Sequence, residues 1–573
     1  MPNTQALPHY PPPLPGAQLE ELKTHAVDWA LAHGLVVRAP TPAGADSSVP
    51  AVTHAPVALF PSPFPRRCFE QALQLQPLFN QLVDTIARDH GFLTEVMDSL
   101  AKVDDFTGRL YDIYKRVHEE GVSQPISLGL HRSDYLLHVP QDSTAEPIIQ
   151  QVELNTIASS FSSLSHLTHD LHKFLAKRTR FFNHESLPSP DITLDALPDN
   201  VSLHSIAKGI GKAWEHYNVP ESVAVMVVQP GERNAFDQRW IEYQLFETYN
   251  VRLLRLSMAE ILDQGKLVGN DKRLMINNLE VAVVYFRAGY APTDFPSPKE
   301  WDARLFIERS NAIKCPNIAY HLVGTKKVQQ ILAKPGLVER FVEKQSDADL
   351  LRQSFTGLYE LDDSPAGHEA AKLALEHPER FVMKPQREGG GNNIYGEDIP
   401  GALSKMSVTE RNAYILMDLI RPPPLTNIMV RHGAIIKGEV VSELGIYGIW
   451  LSRDDEVYLN ENGGHLLRTK AANSNEGGVA AGFAVLDSPL LPAQLGAGAT
   501  DGHLRLAAIA NRKITTTAPP TISSLWADPV ADKYPLGNPM RSDYLSLGST
   551  PPLDGKLSLG TNRDDLFSDS YLA

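Results

Sequence analysis

The order of apolar and polar positions predicts three helices in the first part of the chain. In residues 17–33, 68–88 and 105–120, apolar side chains recur every three or four positions, which is the spacing of an amphipathic helix. The first stretch stops at Gly34, a common helix terminator. Residues 40–65 are rich in Pro, Ala and Ser, and they are expected to form a long surface connection.

The pattern changes near residue 221. SVAVMVVQP, VRLLRL and EVAVVYFRAGY are typical of strands, and WIEYQLFETYN between the first two is typical of a helix. This order predicts a small parallel α/β unit over residues 222–324, with ligands at the carboxyl ends of its strands. Mixed α+β structure is expected again from residue 325, with FVMKP, AYILMDLI and GEVVSELGIYGIWL as strands.

These changes in pattern divide the chain into five segments. Residues 1–16 form a flexible lead, 17–221 a first core segment, 222–324 the inserted unit and 325–488 a second core segment. Residues 489–573 are rich in Pro, Gly and Thr without periodicity, and they are expected to be mostly disordered.

Composition excludes several classes of protein. The chain has 573 residues, a net charge of −15 and two cysteines. The negative net charge argues against electrostatic binding of nucleic acid, and two cysteines exclude a disulfide framework. No apolar run approaches the ~20 residues of a membrane span. With no targeting segment recognised, a cytoplasmic location is expected.

The stretch FVMKPQREGGGNNIYG, residues 381–396, holds the first candidate chemistry. Three consecutive glycines at 389–391 let the backbone pass close to a ligand and present its N–H groups to an anion. Lys384 can reach a phosphate, and Glu388 suits a position beside phosphates when a divalent cation lies between them. A flexible glycine hairpin is the alternative, but the combination with Lys384, Glu388 and Asn393 favours a nucleotide lid.

Two further clusters place polar side chains at alternating positions. In IIQQVELN, Glu153 and Asn155 share one face of a predicted strand and offer oxygen ligands suited to Mg²⁺. In HLLRTKA, Arg468 and Lys470 alternate in the same way ahead of a Gly/Ala-rich loop. The alternative for Glu153 and Asn155 is an ordinary strand end. The alternative for Arg468 and Lys470 is a solvated surface loop. Arg132, in HRSDY, is a solvated charge unless its neighbours give it a role.

Several motifs together resemble those of the eukaryotic glutathione synthetase family. They are KPQREGGGNN, QVELNTIASSF, HRSDY, YFRAGY, GTKKVQQ, SELGIYG and HLLRTKA, and the resemblance runs from about residue 18 to residue 487. It implies an ATP-grasp fold of the α+β and α/β classes. In this fold two α+β lobes hold ATP, and a small parallel α/β substrate-binding domain is inserted in the chain.

The resemblance implies one group of residues for ATP and its metal. Glu153, Asn155 and Glu388 are the implied ligands of a pair of Mg²⁺ ions that bridge the phosphates. The implied ATP contacts are Lys326, Lys384, Gly389, Gly390, Gly391, Asn393, Tyr395, Met417, Ile420, Glu443, Lys470 and Glu476.

A second group is implied to bind the substrates. Its members are Arg132, Ser160, Glu232, Asn234, Gln238, Arg287, Tyr290, Arg468, Val479 and Ala480. Arg132 and Arg468 are the implied catalytic residues, and Arg132 would stabilise negative charge that develops during transfer, for which a guanidinium fork is well suited. No side-chain nucleophile is needed, so Cys68 and Cys315 are expected to be buried.

The implied reaction joins γ-glutamylcysteine and glycine through an acyl phosphate, with ATP as co-substrate and ADP and phosphate as products. A homodimer without nucleic-acid or membrane partners is expected. Two alternatives stay open at this point. The same chemistry could use another amine acceptor, such as β-alanine or serine, to give a homoglutathione-type product, or the protein could be an ATP-binding regulator without turnover.

Overall fold

The computed structural model describes residues 10–39, 51–140, 145–182, 194–387, 391–475, 477–479 and 482–492. All of these residues belong to one unit of the chain, Met1–Ala497. Most of the predicted N-terminal lead, and the predicted extension from residue 493 onward, lie outside the described residues.

The helices of the described residues follow in chain order. They are α1 (Gly16–Ala32), α2 (Arg66–Arg88), α3 (His90–Leu100), α4 (Asp105–Glu120), α5 (Ser162–Thr179), α6 (Ser202–Tyr217), α7 (Ala235–Tyr249), α8 (Met258–Gln264), α9 (Pro298–Arg309), α10 (Ile318–Val323), α11 (Lys326–Leu332), α12 (Leu337–Phe341), α13 (Gln345–Gln353), α14 (Pro365–Glu376), α15 (Asp398–Leu403) and α16 (Val408–Arg411). The three helices predicted from periodicity are confirmed as α1, α2 and α4.

The strands are numbered in the same way. They are β1 (Val36–Arg38), β2 (Val52–His54), β3 (Val57–Ala58), β4 (Ser62–Pro63), β5 (Ile126–His138), β6 (Ile148–Asn155), β7 (Val223–Val227), β8 (Leu253–Leu256), β9 (Gly265–Val268), β10 (Arg273–Ile276), β11 (Leu279–Phe286), β12 (Ile313–Cys315), β13 (Leu358–Glu360), β14 (Phe381–Pro385), β15 (Ile394–Tyr395), β16 (Tyr414–Asp418), β17 (Leu425–Arg431), β18 (Ala434–Arg453), β19 (Glu456–Ala471), β20 (Ala484–Asp487) and β21 (Pro489–Leu490).

A seven-stranded sheet with the order β17-β3-β20-β19-β18-β5-β6 forms the centre of the described structure. Alternate residues of β5 point to one face of this sheet. On that face, Leu128 and Leu130 belong to the core that α5 and α6 cover. Arg132 and Asp134 are the next residues on the same face, so it turns from apolar to charged along a single strand.

A six-stranded sheet is formed by β8-β7-β11-β10-β9, with β12 paired to β11. Strands β8, β7, β11 and β12 are parallel, as predicted, whereas β9 and β10 add an antiparallel hairpin that was not predicted. The turn from β10 to β11 consists of Asn277 and Asn278, both at positive φ. Asparagine tolerates this conformation, and two such residues in succession favour a tight hairpin over a crossover.

A four-stranded antiparallel sheet has the order β13-β16-β14-β15. Phe381, Met383 and Leu416 on one face pack against α14 and α15. On the other face, Val382 and Met417 form an apolar cluster with side chains of β5 and β6. This cluster, called the apolar shelf below, lies between the four-stranded and seven-stranded sheets.

Two expectations about connecting segments are wrong. Residues 51–65 are not a surface connection, because β3 pairs with β17 and β20, and Val57 and Phe60 are fully buried. The C-terminal extension does not begin at residue 489, since β21 pairs with β4 and buries Leu490. In the N-terminal lead, the hydroxyl of Tyr10 donates to the carbonyl of Pro61 at 2.6 Å.

Cys68 and Cys315 are both buried free thiols, as expected. Within the described ranges, no helix has both the length and the apolar character needed to cross a membrane.

Candidate active site

A cavity of about 360 Å³ is bounded by all three large sheets. Its sheet wall comes from neighbouring strands of the seven-stranded sheet and consists of Arg132, Glu153, Asn155, Glu443, Arg468 and Lys470. Its loop wall follows the carboxyl ends of β7 and β11 and consists of Gln229, Glu232, Asn234, Arg287 and Tyr290. Ligands in α/β sheets are expected at such carboxyl ends.

The sheet wall is a set of side chains matched across antiparallel strands. Glu443 lies opposite Arg468 in the pairing of β18 with β19, and their side chains form an ion pair. Arg132 lies opposite Asn155 in the pairing of β5 with β6. Burial alone would lower the pKa of Arg132, but the charge of Asp134 beside it raises that pKa, so the guanidinium stays charged.

Glu153 is held as an anion by the cations around it. Burial alone would raise the pKa of this carboxyl, but the charges of Lys326, Lys384, Arg468 and Arg132 outweigh it and bring the pKa well below its usual range. The Lys326 ammonium lies 3.8 Å from Glu153 Oε2. An ionised carboxylate beside several cations is suited to a site that also receives phosphate and metal charge.

The loop wall depends on a buried ion pair and a carboxylate that holds backbone. Arg287 Nη2 lies 3.0 Å from Asp237 Oδ2, and both side chains are almost completely buried. Asp294 Oδ2 accepts hydrogen bonds from the backbone N–H groups of Gly289, Tyr290 and Ala291. Burial and nearby carboxylates raise the pKa of Tyr290 to about 12, so its hydroxyl keeps its proton at neutral pH.

Two lysines approach the cavity from the side of the four-stranded sheet. Lys384 on β14 donates to the carbonyl of Val152 at 3.0 Å, and Lys326 at the start of α11 donates to the carbonyl of Arg387 at 2.6 Å. The apolar shelf adjoins them, since Leu136, Val152 and Tyr395 belong both to that cluster and to the cavity lining. The cavity therefore offers ammonium groups next to an apolar region.

The charge of the lining is opposite to that of the whole chain. Among the described lining residues, seven carry a guanidinium or ammonium group and three carry a carboxylate, in a chain with a net charge of −15. A local excess of positive charge in an acidic protein favours a polyanionic ligand.

The structure brings most of the predicted site residues to this one cavity. Those that line it are Arg132, Glu153, Asn155, Ser160, Glu232, Asn234, Arg287, Tyr290, Lys326, Lys384, Asn393, Tyr395, Glu443, Arg468, Lys470 and Val479. Predicted residues that lie outside the described part are Glu388, Gly389, Gly390, Glu476 and Ala480.

Four predicted residues are described but do not line the cavity. Gln238 is buried behind the loop wall, where its side-chain oxygen accepts a hydrogen bond from Arg255 at 2.5 Å. Met417 and Ile420 are buried in the apolar shelf, one layer below the lining. Gly391 lies outside the lining at positive φ, a conformation that glycine adopts readily.

The cavity also contains residues that the sequence did not suggest. Phe106 and Leu110 on α4 and His321 on α10 have no motif that marks them. Gln229 directly follows the strand VAVMVV, so the rule about carboxyl ends could have found it. Burial and the charge of Arg304 bring the pKa of His321 well below its usual range, so this imidazole is neutral at neutral pH.

Glu153 and Asn155 are the described side chains with the chemistry of a magnesium site. One is an ionised carboxylate and the other an amide, and both line the cavity. Hard oxygen ligands of this kind suit Mg²⁺ when phosphate oxygens complete the coordination. Across the described ranges, no group of three or more His, Cys, Asp or Glu side chains is arranged to hold a metal.

Comparison with known proteins shows the family of this chain. A model of the family described as eukaryotic glutathione synthase, ATP binding domain, matches residues 16–491. The chain belongs to the eukaryotic glutathione synthase family. It is 44% identical over 481 residues to a chloroplastic glutathione synthetase of Solanum lycopersicum, which covers 82% of this chain and 84% of that relative. The resemblance found in the motifs is thereby confirmed.

A human relative and a solved structure are also similar to this chain. The glutathione synthetase of Homo sapiens is 43% identical over 475 residues, which covers 82% of this chain and 97% of the human protein. The solved apo structure of a glutathione synthetase-like effector from Globodera pallida superposes with a TM-score of 0.65 at 26% identity, covering 84% of this chain and 98% of that one. The mixed α/β architecture with several sheets is thus shared with a glutathione synthetase-like structure.

Proposed function

We propose that this protein is an ATP-dependent ligase that joins γ-glutamylcysteine to glycine and releases glutathione, ADP and phosphate. Its membership of the glutathione synthase family supports the activity. The observation that carries the proposal is the single cavity in which the sheet wall, the loop wall and two lysines meet. ATP and γ-glutamylcysteine are anionic, which fits the excess of positive charge in the lining.

ATP is proposed to lie between the four-stranded and seven-stranded sheets, in the manner of an ATP-grasp fold. Lys326 and Lys384 would contact its phosphates, and the apolar shelf would support the adenine from below through Met417 and Ile420. Glu443 would accept hydrogen bonds from the ribose. The backbone of the glycine stretch would close over the triphosphate.

Glu153 and Asn155 would hold Mg²⁺ together with Glu388. When bound, the metal supplies positive charge that neutralises the phosphate oxygens during phosphoryl transfer. The requirement for a divalent metal is consistent with the ATP-dependent family. Magnesium in particular, and a pair of ions per site, are part of this proposal.

The loop wall is proposed to hold the γ-glutamyl end of the donor. Arg287 would bind its carboxylate, with Glu232 and Asn234 around its amino group. Ser160, Arg132 and Arg468 would hold the cysteinyl end, where the reacting carboxylate lies. Gln238 is not part of the lining. Its proposed role is to support the loop wall, through the hydrogen bond that its side-chain oxygen accepts from Arg255.

The proposed reaction has two steps. A carboxylate oxygen of the donor attacks the γ-phosphorus of ATP, the bond from that phosphorus to the β-phosphate oxygen breaks, and ADP leaves. The amine of glycine then attacks the acyl carbon, loses a proton and expels phosphate. Arg132 and Arg468 would orient the donor and stabilise the charge that develops, so most of the rate comes from positioning and charge.

A homodimer and a cytoplasmic location stay predictions. The first is implied by the family resemblance, and the second rests on the sequence.

The test is phosphate release by the purified full chain with ATP, Mg²⁺ and γ-glutamylcysteine, with glycine present or absent. We expect release that depends on glycine, and a product with the mass of glutathione. Phosphate release that depends on β-alanine or serine, and not on glycine, would show that the acceptor is one of those amines. ATP binding without turnover for any of these amines would contradict the proposed ligase activity.

A further inference from the structure

One buried carboxylate connects three side chains of the sheet wall. Asp134 Oδ1 accepts from Arg132 Nε at 2.6 Å, and Oδ2 accepts from Arg132 Nη2 at 2.8 Å. The same Oδ2 accepts from Asn155 Nδ2 at 3.0 Å and from Arg468 Nη2 at 3.1 Å. Asp134 is 1% exposed and does not line the cavity, whereas its three partners do.

These contacts fix the orientation of two guanidinium groups. A carboxylate that accepts two parallel N–H bonds sets both the position and the plane of an arginine. Arg132 is held in this way, and its Nη1 atom donates to the carbonyl of Ser160 at 3.2 Å. The Nη2 atom of Arg468 donates to both Asp134 and Glu443. Asp134 is thus the acceptor that the two guanidinium groups share, besides Ser160 for Arg132 and Glu443 for Arg468.

The contact with Asn155 fixes the direction of an amide. A carboxylate only accepts hydrogen bonds, so the NH₂ group of Asn155 must face Asp134. The backbone carbonyl of Arg132 accepts from the same Nδ2 at 3.3 Å. The amide oxygen therefore lies on the opposite side, where it is the atom available to a cation.

Gly445 makes this arrangement possible. It lies opposite Asp134 on the adjacent strand β18, between Arg132 and Arg468 in the sheet. A Cβ atom at this position would lie 2.6 Å from Asp134 Oδ1 and 2.8 Å from Arg132 Cδ. The missing side chain leaves space above β18 in which the Asp134 carboxylate contacts Arg468 on β19.

We propose that Asp134 is a positioning residue for the ligation, and that Gly445 leaves the space that the Asp134 side chain occupies. It acts through Arg132, Arg468 and Asn155 and does not itself touch a substrate. This role rests on the proposed function, because the three partners are the residues proposed to hold the reacting carboxylate and the metal.

The test compares Asp134→Asn and Gly445→Ala with wild type and with Asp487→Asn. Asp487 is a second buried carboxylate of the same sheet, on β20, and it has no part in the cavity lining. We expect kcat/KM for γ-glutamylcysteine to fall about 100-fold in Asp134→Asn and about 10-fold in Gly445→Ala, since small displacements of positioning groups have effects of this size. The KM for ATP should change less than the kcat/KM for the donor, because Asn155 is the one partner of Asp134 proposed to hold the metal. Asp487→Asn should keep wild-type kinetics.

Two readouts separate positioning from a purely structural role. Donor affinity measured by calorimetry without ATP should weaken in Asp134→Asn while the thermal midpoint stays close to that of wild type. Combining Asp134→Asn with Arg132→Met should cost less than the product of the two single effects, because both changes remove the same contact. If Asp134→Asn does not fold, the kcat/KM of Gly445→Ala for γ-glutamylcysteine tests the proposal instead.

Folded variants with kcat/KM for the donor within threefold of wild type would overturn the role of Asp134. An equal loss for donor and ATP, together with a lowered thermal midpoint, would also overturn it. A wild-type protein without ligase activity would instead contradict the proposed function, and the calorimetric comparison would still test whether Asp134 supports donor binding.

Discussion

The two walls of the cavity hold their arginines in different ways. In the sheet wall, Arg132 and Asp134 are two residues apart on one strand, so the sheet already fixes their backbone and the carboxylate holds side chains. In the loop wall, Arg287 pairs with Asp237 on a distant helix. The residues that follow the strands of this wall form loops, and carboxylates accept hydrogen bonds from their backbone N–H groups.

Asp237 illustrates the second case. Besides Arg287, it accepts hydrogen bonds from the backbone N–H groups of Phe161 and Ser163, both at 2.9 Å. Phe161 is at positive φ directly before α5, a conformation that bulky residues rarely adopt. In the sheet the Asp134 carboxylate orients side chains, whereas the Asp237 carboxylate also holds the backbone before and at the start of α5.

The largest expected effect is at the sheet wall. Glu153→Gln should lower kcat by about 10²- to 10³-fold, because a neutral amide replaces the anion that the four surrounding cations hold ionised. Steady-state kinetics over a range of Mg²⁺ concentrations measure it. Glu461→Gln, which alters an ion pair with Lys208 away from the cavity, is the control. If Glu153→Gln turned over at the wild-type rate at low Mg²⁺, Glu153 would not be a ligand of the metal.

A carboxylate of the same sheet outside both walls should affect stability and not catalysis. Burial raises the pKa of Asp487 to about 7, although hydroxyl groups of Ser62 and Thr469 donate to it. Between pH 4 and 7 the folded state then keeps a proton that the unfolded state has lost, so stability falls as the pH rises through this window.

The full shift corresponds to at most about 4 kcal/mol, because each pKa unit is worth ~1.4 kcal/mol. Asp487→Asn should remove this pH dependence while leaving kcat unchanged. Urea unfolding at several pH values measures it. Parallel pH profiles for wild type and variant would contradict the assignment.

Truncation of the chain should also act on stability alone. Removal of residues after Ser488 deletes β21 and the buried Leu490 and Leu491, each of which contributes ~2 kcal/mol by burial. Removal after Pro492 keeps these residues and should leave both the thermal midpoint and kcat as in the full chain. Thermal unfolding of the two truncated proteins measures the difference, and equal midpoints would show that β21 is dispensable.

The smallest expected effect is at the loop wall. Asp294→Ala removes the acceptor of three backbone N–H groups, so the loop that carries Tyr290 should loosen. We expect the KM for γ-glutamylcysteine to rise about 10-fold with kcat nearly unchanged, since the effect falls on binding and not on the reacting carboxylate. Asp263→Ala, in an exposed pair with Lys299, is the control. A fall in kcat of similar size would mean that the loop wall contributes to the chemical step as well as to donor binding.

Much of the sheet wall could be predicted from local sequence. Alternation in HRSDY, VELN and HLLRTKA places Arg132, Glu153, Asn155, Arg468 and Lys470 on definite strand faces, because the period of a strand is two residues. The motif order also indicated the family, which the comparisons confirm. The parallel core of the six-stranded sheet was recognisable as well, from strands that are apolar throughout.

Other features had no local signal. The sequence around Gln238 does not reveal that Arg255 occupies its side chain, since that contact depends on how α7 packs against β8. The burial of residues 55–60 and of Leu490 depends on pairing with strands far away in the chain. A Pro- and Ala-rich composition correctly suggests weak local preference, but distant strands override it.

Local sequence is enough to specify which residue types alternate on each strand, and hence which charges can share a face. Which strands become neighbours depends on the folded protein as a whole. Asp134 and Gly445 are more than three hundred residues apart, and their meeting depends on the long-range pairing of β5 with β18. The physical reason is that strand alternation is a property of the local backbone, whereas strand order follows from the packing of the whole core.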